Sequence, residues 1–152
     1  MLTPEQVEKE ALLLVAAQRD RVPAALLSKR LPEADVADVY RIAGESVRQR
    51  LRTGDTIAGY KIGITSPVVQ EMMEAQEPGF RVVLKSKVYL SGATLPGNEV
   101  FRPAVESELA FRLGERLEGP GVEADDVLAA TTEIVPCNRG HRRTVRARRR
   151  PN

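Results

Sequence analysis

The chain has 152 residues, 42% hydrophobic and 29% charged, with one cysteine and one histidine. That length fits one domain of ordinary size and that balance suits a soluble globular protein, while a lone thiol excludes an intrachain disulfide and a zinc cluster. No apolar run approaches membrane-spanning length, so a cytoplasmic location is expected.

The formal charge of +2 hides a break in composition. Seven arginines and no acid fall within 139–152, leaving residues 1–138 with 16 basic and 21 acidic groups, a net of −5.

In chain order, "LTPEQVEKEALLLVAAQRDR" predicts a helix. Thr3 can cap it, Pro4 suits the first helical position, and Gln6 completes a capping-box spacing. A loop at Val22-Pro23 and a short apolar piece, "AALLSKRL", follow. A second long helix is expected from near Asp35, with Val36, Val39, Tyr40, Ala43, Val47 and Leu51 as its apolar stripe and Gly54 as its stop. From Thr56 the pattern turns strand-like in "TIAGYKIGITS", and Ser66-Pro67 opens a short helix, "VVQEMMEAQ". Two strands are expected in "RVVLKSKVYL" and "RPAVESELAFRLG", separated by the turn-rich "SGATLPGNE". "EADDVLAATTEIV" predicts an acid-started helix running into a strand.

Strand alternation in "AVESELAF" puts Glu106 and Glu108 on one face and Val105, Ser107, Leu109, Phe111 and Leu113 on the other. The second set suits a core. Adjacent carboxylates repel, and a hard divalent cation would relieve them; a solvated acidic face is the plainer alternative and the one the pattern alone favours. Lys61, between glycines in "GYKIG", is either the solvent-facing member of an alternation or a site lysine that a substrate can approach. Cys137 and His141 form the one nucleophile and base pairing available, and no catalytic role is expected of them.

Taken together, "GYKIGITS", "RPAVESELAF" and "EGPGVEADDVLAATTEIVPC" resemble the 2-keto-4-pentenoate (2-hydroxypenta-2,4-dienoate) hydratase family, within the fumarylacetoacetate hydrolase superfamily, which also includes 4-oxalocrotonate decarboxylases. The resemblance runs from about the first helix to Pro136. It implies an α+β fold, in which an N-terminal helical section (1–54) leads into the start of a mixed, β-rich and incomplete catalytic domain (55–137). It implies a metal-dependent lyase of aromatic-compound catabolism that hydrates 2-hydroxy-2,4-dienoates, with 4-oxalocrotonate-type decarboxylation as the alternative. Glu106 and Glu108 would hold Mg²⁺ or Mn²⁺; Lys61 would be catalytic, and Lys61, Thr65 and Ser66 would bind substrate. The family also implies a homo-oligomer. Two departures stand out: Lys85 or Ser86 stands where many members carry an aspartate, leaving the general base unassigned, and the third metal carboxylate expected soon after "VPC" is missing.

Residues 138–152 are expected to be an arginine-rich, out-of-frame, disordered tail. If Cys137 to Arg143 were encoded TGC AAT CGA GGT CAT CGA CGG, dropping the first base would read Ala-Ile-Glu-Val-Ile-Asp, the kind of segment the family places there. A truncated, frameshifted hydratase with little activity is therefore expected, and a non-catalytic fragment is a further reading. The tail as a nucleic-acid-binding arm is disfavoured, because no aromatic residue interleaves with its arginines and the acidic body opposes a phosphate backbone. No membrane partner is expected.

Overall fold

The first helix, α1 (Pro4–Asp20), opens as its sequence predicts. Thr3 accepts from the Gln6 N–H, the Gln6 side chain returns the bond to the Thr3 N–H, and Pro4 occupies the first turn. Two donors that would otherwise lack partners are thereby met. A one-turn helix, α2 (Leu27–Arg30), follows, and then α3 (Val36–Arg52), capped by Asp35 in a second capping box with Asp38. Gly54, with φ 92°, takes the left-handed conformation that ends α3 and that a side chain would disfavour. The computed structural model describes residues 1–95 and 105–140, and these fall into two compact units on either side of the break.

In the first unit α1 packs on α3. Leu2, Val7, Ala11 and Ile42 form its core, with Leu14, Leu27, Leu31 and Ala34 against it. The expected stripe on α3 needs correcting. Val36 is 66% exposed and Leu51 36%, whereas Ile42 and the acid Asp38 are buried. The inward face is rotated because Asp38 is drawn in by the Leu2 N–H and the Arg41 guanidinium, both 2.9 Å from its Oδ1.

The same unit continues with β1 (Ile57–Gly63), α4 (Pro67–Met73) and β2 (Gly79–Leu84), and β1 and β2 pair antiparallel. The Phe80 ring stacks on Tyr40 of α3 with centroids 4.7 Å apart, which ties the hairpin to the helices. The strand expected through "RVVLKSKVYL" ends at Leu84, and Lys85–Lys87 form a 3₁₀ turn instead. The Lys85 N–H donates to the Thr56 carbonyl, and the Asp55 carboxylate accepts from the Ser86 N–H and hydroxyl, so the backbone is held in a turn.

The second unit holds β3 (Val105–Leu113), α5 (Ala124–Ala130) and β4 (Thr131–Gly140). Helix α5 starts with a capping box between Glu123 and Asp126 and runs straight into β4, which pairs antiparallel with β3. Strand β4 continues to Gly140, through positions 138–140 of the expected tail; the arginines from 142 on lie outside the described residues. The element set is α+β, helices with two small sheets.

Candidate functional site: an acid pair bridged by arginine

Strand alternation places Glu106 and Glu108 on one face of β3, as expected. The burial is the reverse of what the apolar pattern suggests. Val105, Leu109, Phe111 and Leu113 are exposed, at 70%, 63%, 46% and 45%, and the two acids are half-buried. Alternation tells which residues share a face, and what covers that face is a separate, non-local matter. Here the acid face is covered from β4.

The register sets Arg139 directly opposite Glu106, Asn138 opposite Ser107 and Cys137 opposite Glu108. Directly opposed residues on one face bring their β-carbons to within about 5 Å, and the diagonal neighbour is within reach of a long side chain. One Arg139 nitrogen donates to Glu106 Oε2. Its Nε lies 2.6 Å from Glu108 Oε1, an ion-pair contact outside the angular range of a hydrogen bond. A single guanidinium therefore meets both carboxylates. Four residues beyond Glu108 on the same face, Arg112 pairs with Glu133 across the strands at 2.9 Å.

Among the described residues no group of three or more His, Cys, Asp or Glu side chains could hold a metal ion. Glu106 and Glu108 are the oxygen donors a divalent ion would use, and both already face a cation. With Arg139 in place these residues do not fit a divalent ion. The Arg139 contribution escaped sequence reasoning, because it depends on the pairing of two strands thirty-odd residues apart. Cys137 is exposed, and His141 lies outside the described residues.

Lys61, Thr65 and Ser66 belong to the first unit. Lys61 shares the better-covered face of β1 with Gly59 and Gly63, while Tyr60 and Ile62 on the other face are 71% and 64% exposed. Just beyond β1, Ile64 adopts φ 60°. A left-handed β-branched residue costs about 1–2 kcal/mol, and here the Gln70 side chain holds the Ile64 carbonyl at 2.9 Å. That bend turns the chain at Thr65, which is exposed. The Ser66 hydroxyl accepts from the Val69 N–H at 3.2 Å and so caps α4.

Asp55 is a further carboxylate that sequence reasoning passed over. The Ser86 hydroxyl at 2.6 Å holds its carboxyl below the ordinary range; burial opposes the shift, and the Ser86 and Thr56 N–H groups support it. With its oxygens occupied and its basicity lowered, Asp55 clamps the 85–87 turn and is poorly suited to take a proton.

No family model matches the chain. Over 133 residues it is 38% identical to a 2-hydroxyhexa-2,4-dienoate hydratase of Comamonas testosteroni, an overlap of 86% of this chain and 50% of that protein. It is likewise 38% identical over 125 residues to a 2-hydroxypent-2,4-dienoate hydratase of Pseudomonas putida, covering 82% and 56%. The chain belongs to the 2-keto-4-pentenoate hydratase family. It spans about half the length of the curated relatives it matches. A solved member of the wider fold, 4-oxalocrotonate decarboxylase from Pseudomonas putida G7 complexed with magnesium and adipate, superposes with a TM-score of 0.91 at 25% identity, over 95% of this chain and 55% of that one. The fold is therefore the fumarylacetoacetate hydrolase type, incomplete relative to that structure.

Proposed function

We propose that this protein acts on 2-hydroxy-2,4-dienoates as a hydro-lyase, and that the chain as it stands does so slowly. The observation that carries the reading is the identity of 38% to two dienoate hydratases, spread over more than four-fifths of the chain. The reaction adds one water. The 2-hydroxyl loses its proton as the dienol ketonises and the far carbon of the diene gains one. Water oxygen then bonds to C4 and a proton to C3, giving a 4-hydroxy-2-oxo acid.

Lys61 is assigned to the substrate carboxylate and to proton handling, supported by its place on the covered, glycine-flanked face of β1. Thr65 is assigned to substrate binding. The Ser66 hydroxyl, occupied as a helix cap, contributes by holding the turn. The solved decarboxylases are complexed with magnesium or calcium, which supports a divalent ion in this lineage, held by an acid pair such as Glu106 and Glu108. Such an ion would polarise the 2-oxo group and carboxylate of the substrate. In this chain Arg139 takes that charge, so no step is routed through an ion. A homo-oligomer belongs to the same proposal and is measured by sedimentation.

The test is a long incubation of the purified protein with 2-hydroxypenta-2,4-dienoate, following the dienoate absorbance and identifying the product by mass. Slow formation of the 4-hydroxy-2-oxo acid above a protein-free control is expected, and Lys61→Ala should remove it. Absence of that product in the unaltered protein overturns the reading. The likeness to decarboxylase structures favours a second reading, which predicts carbon dioxide release from 4-oxalocrotonate instead.

A further inference from the structure

We propose that Arg139 is a built-in counter-cation that closes the Glu106/Glu108 pair to divalent metal ions. The inference goes beyond the substrate assignment and rests on the second unit alone. Two carboxylates on alternate positions of one strand face repel, and half-burial leaves less water to screen them. A cation between them relieves that repulsion. The β3–β4 register delivers Arg139 opposite the first acid, and its planar fork spans to the second. The guanidinium is only 23% exposed and touches both acids, which holds it between them.

A divalent ion competes poorly against this arrangement. It must displace a cation tethered to the neighbouring strand, whose effective concentration at the acids is on the order of millimolar or higher. It must also shed water for two carboxylates, among described residues that offer no third ligand, and then sit beside a guanidinium that repels it. The acid pair that would serve a metal thus serves as half of an ion-pair bridge.

The experiment measures Mn²⁺ binding by the loss of the free-ion electron paramagnetic resonance signal, with the full chain and no substrate. The unaltered protein and Arg139→Lys should leave the signal of millimolar Mn²⁺ unchanged. Arg139→Ala should bind, and Arg139→Glu, which adds a third carboxylate, should bind at least about tenfold tighter than the unaltered chain. Equal Mn²⁺ affinity in the unaltered protein and Arg139→Ala overturns the proposal. A second measurement needs no substitution. The Arg139 Nε–H resonance should stay sharp as Mn²⁺ is added, and paramagnetic broadening of that signal at stoichiometric metal also overturns it. Neither readout depends on dienoate turnover, so failure here is separate from failure of the hydratase reading.

Discussion

Asp38 carries a fully enclosed charge, with 0% of its side chain exposed, on a helix whose pattern reads as ordinarily amphipathic. Burial is the largest influence on its carboxyl and pushes the pKa up. The Leu2 N–H, the Arg41 guanidinium and the Asp35 N–H together outweigh it and hold the group below its ordinary 3.8. Because the folded value is the lower one, the unfolded chain binds the proton more readily. Asp38 therefore stabilises fully above about pH 4, and the contribution is lost as pH falls through the folded value. Urea midpoints measured from neutral pH into the acid range should fall more steeply for the unaltered protein than for Asp38→Asn, and parallel curves contradict this account. Arg139 and Asp38 are the same lesson with opposite signs. At each, particular partners converge on a charge, enclosing Asp38 fully and Arg139 in part.

At the scale of elements, the α1–α3 pair is held by a small apolar centre, and single positions on α3 should separate sharply in their effect. Ile42, 3% exposed, packs with Val7 and Ala11, so Ile42→Ala should cost about 2–4 kcal/mol in denaturant unfolding. Val36, on the periodic stripe yet 66% exposed, should lose no more than about 0.5 kcal/mol as Val36→Ala. The reverse order of costs would show that the stripe, and not the Asp38-centred face, is buried.

Much of this level was legible from local chemistry. Thr3 with Gln6, Asp35 before α3, Ser66-Pro67 and Glu123 all mark helix starts, because capping needs specific side chains at fixed offsets. The end of β2 at Leu84 was not legible, since it depends on Asp55 thirty residues earlier reaching Ser86. Which faces of β1 and β3 are covered was equally hidden. Alternation grouped Lys61 with its glycines and Glu106 with Glu108, and non-local packing then covered those faces and left Tyr60, Ile62, Val105 and Leu109 exposed.

For the whole molecule, family and fold followed from short stretches such as "GYKIGITS" and "RPAVESELAF", while the state of the site did not. The resemblance places a third carboxylate soon after "VPC", and the sequence already shows it missing, though not what replaces it at the acid pair. In that stretch β4 carries Arg139 in register with Glu106, so a cation stands where a third anion would, and the net charge of the cluster is reduced to −1. The chain thus joins the family's framework to an acid pair partly neutralised from within. No helix among the described residues is long and apolar enough to cross a membrane.

The most direct measurement is the rate of 2-hydroxypenta-2,4-dienoate consumption by the purified protein, with and without Mg²⁺. A slow rate that Mg²⁺ leaves unchanged is expected. Fast turnover that requires Mg²⁺ would contradict it, because a working metal site cannot coexist with Arg139 bridging Glu106 and Glu108.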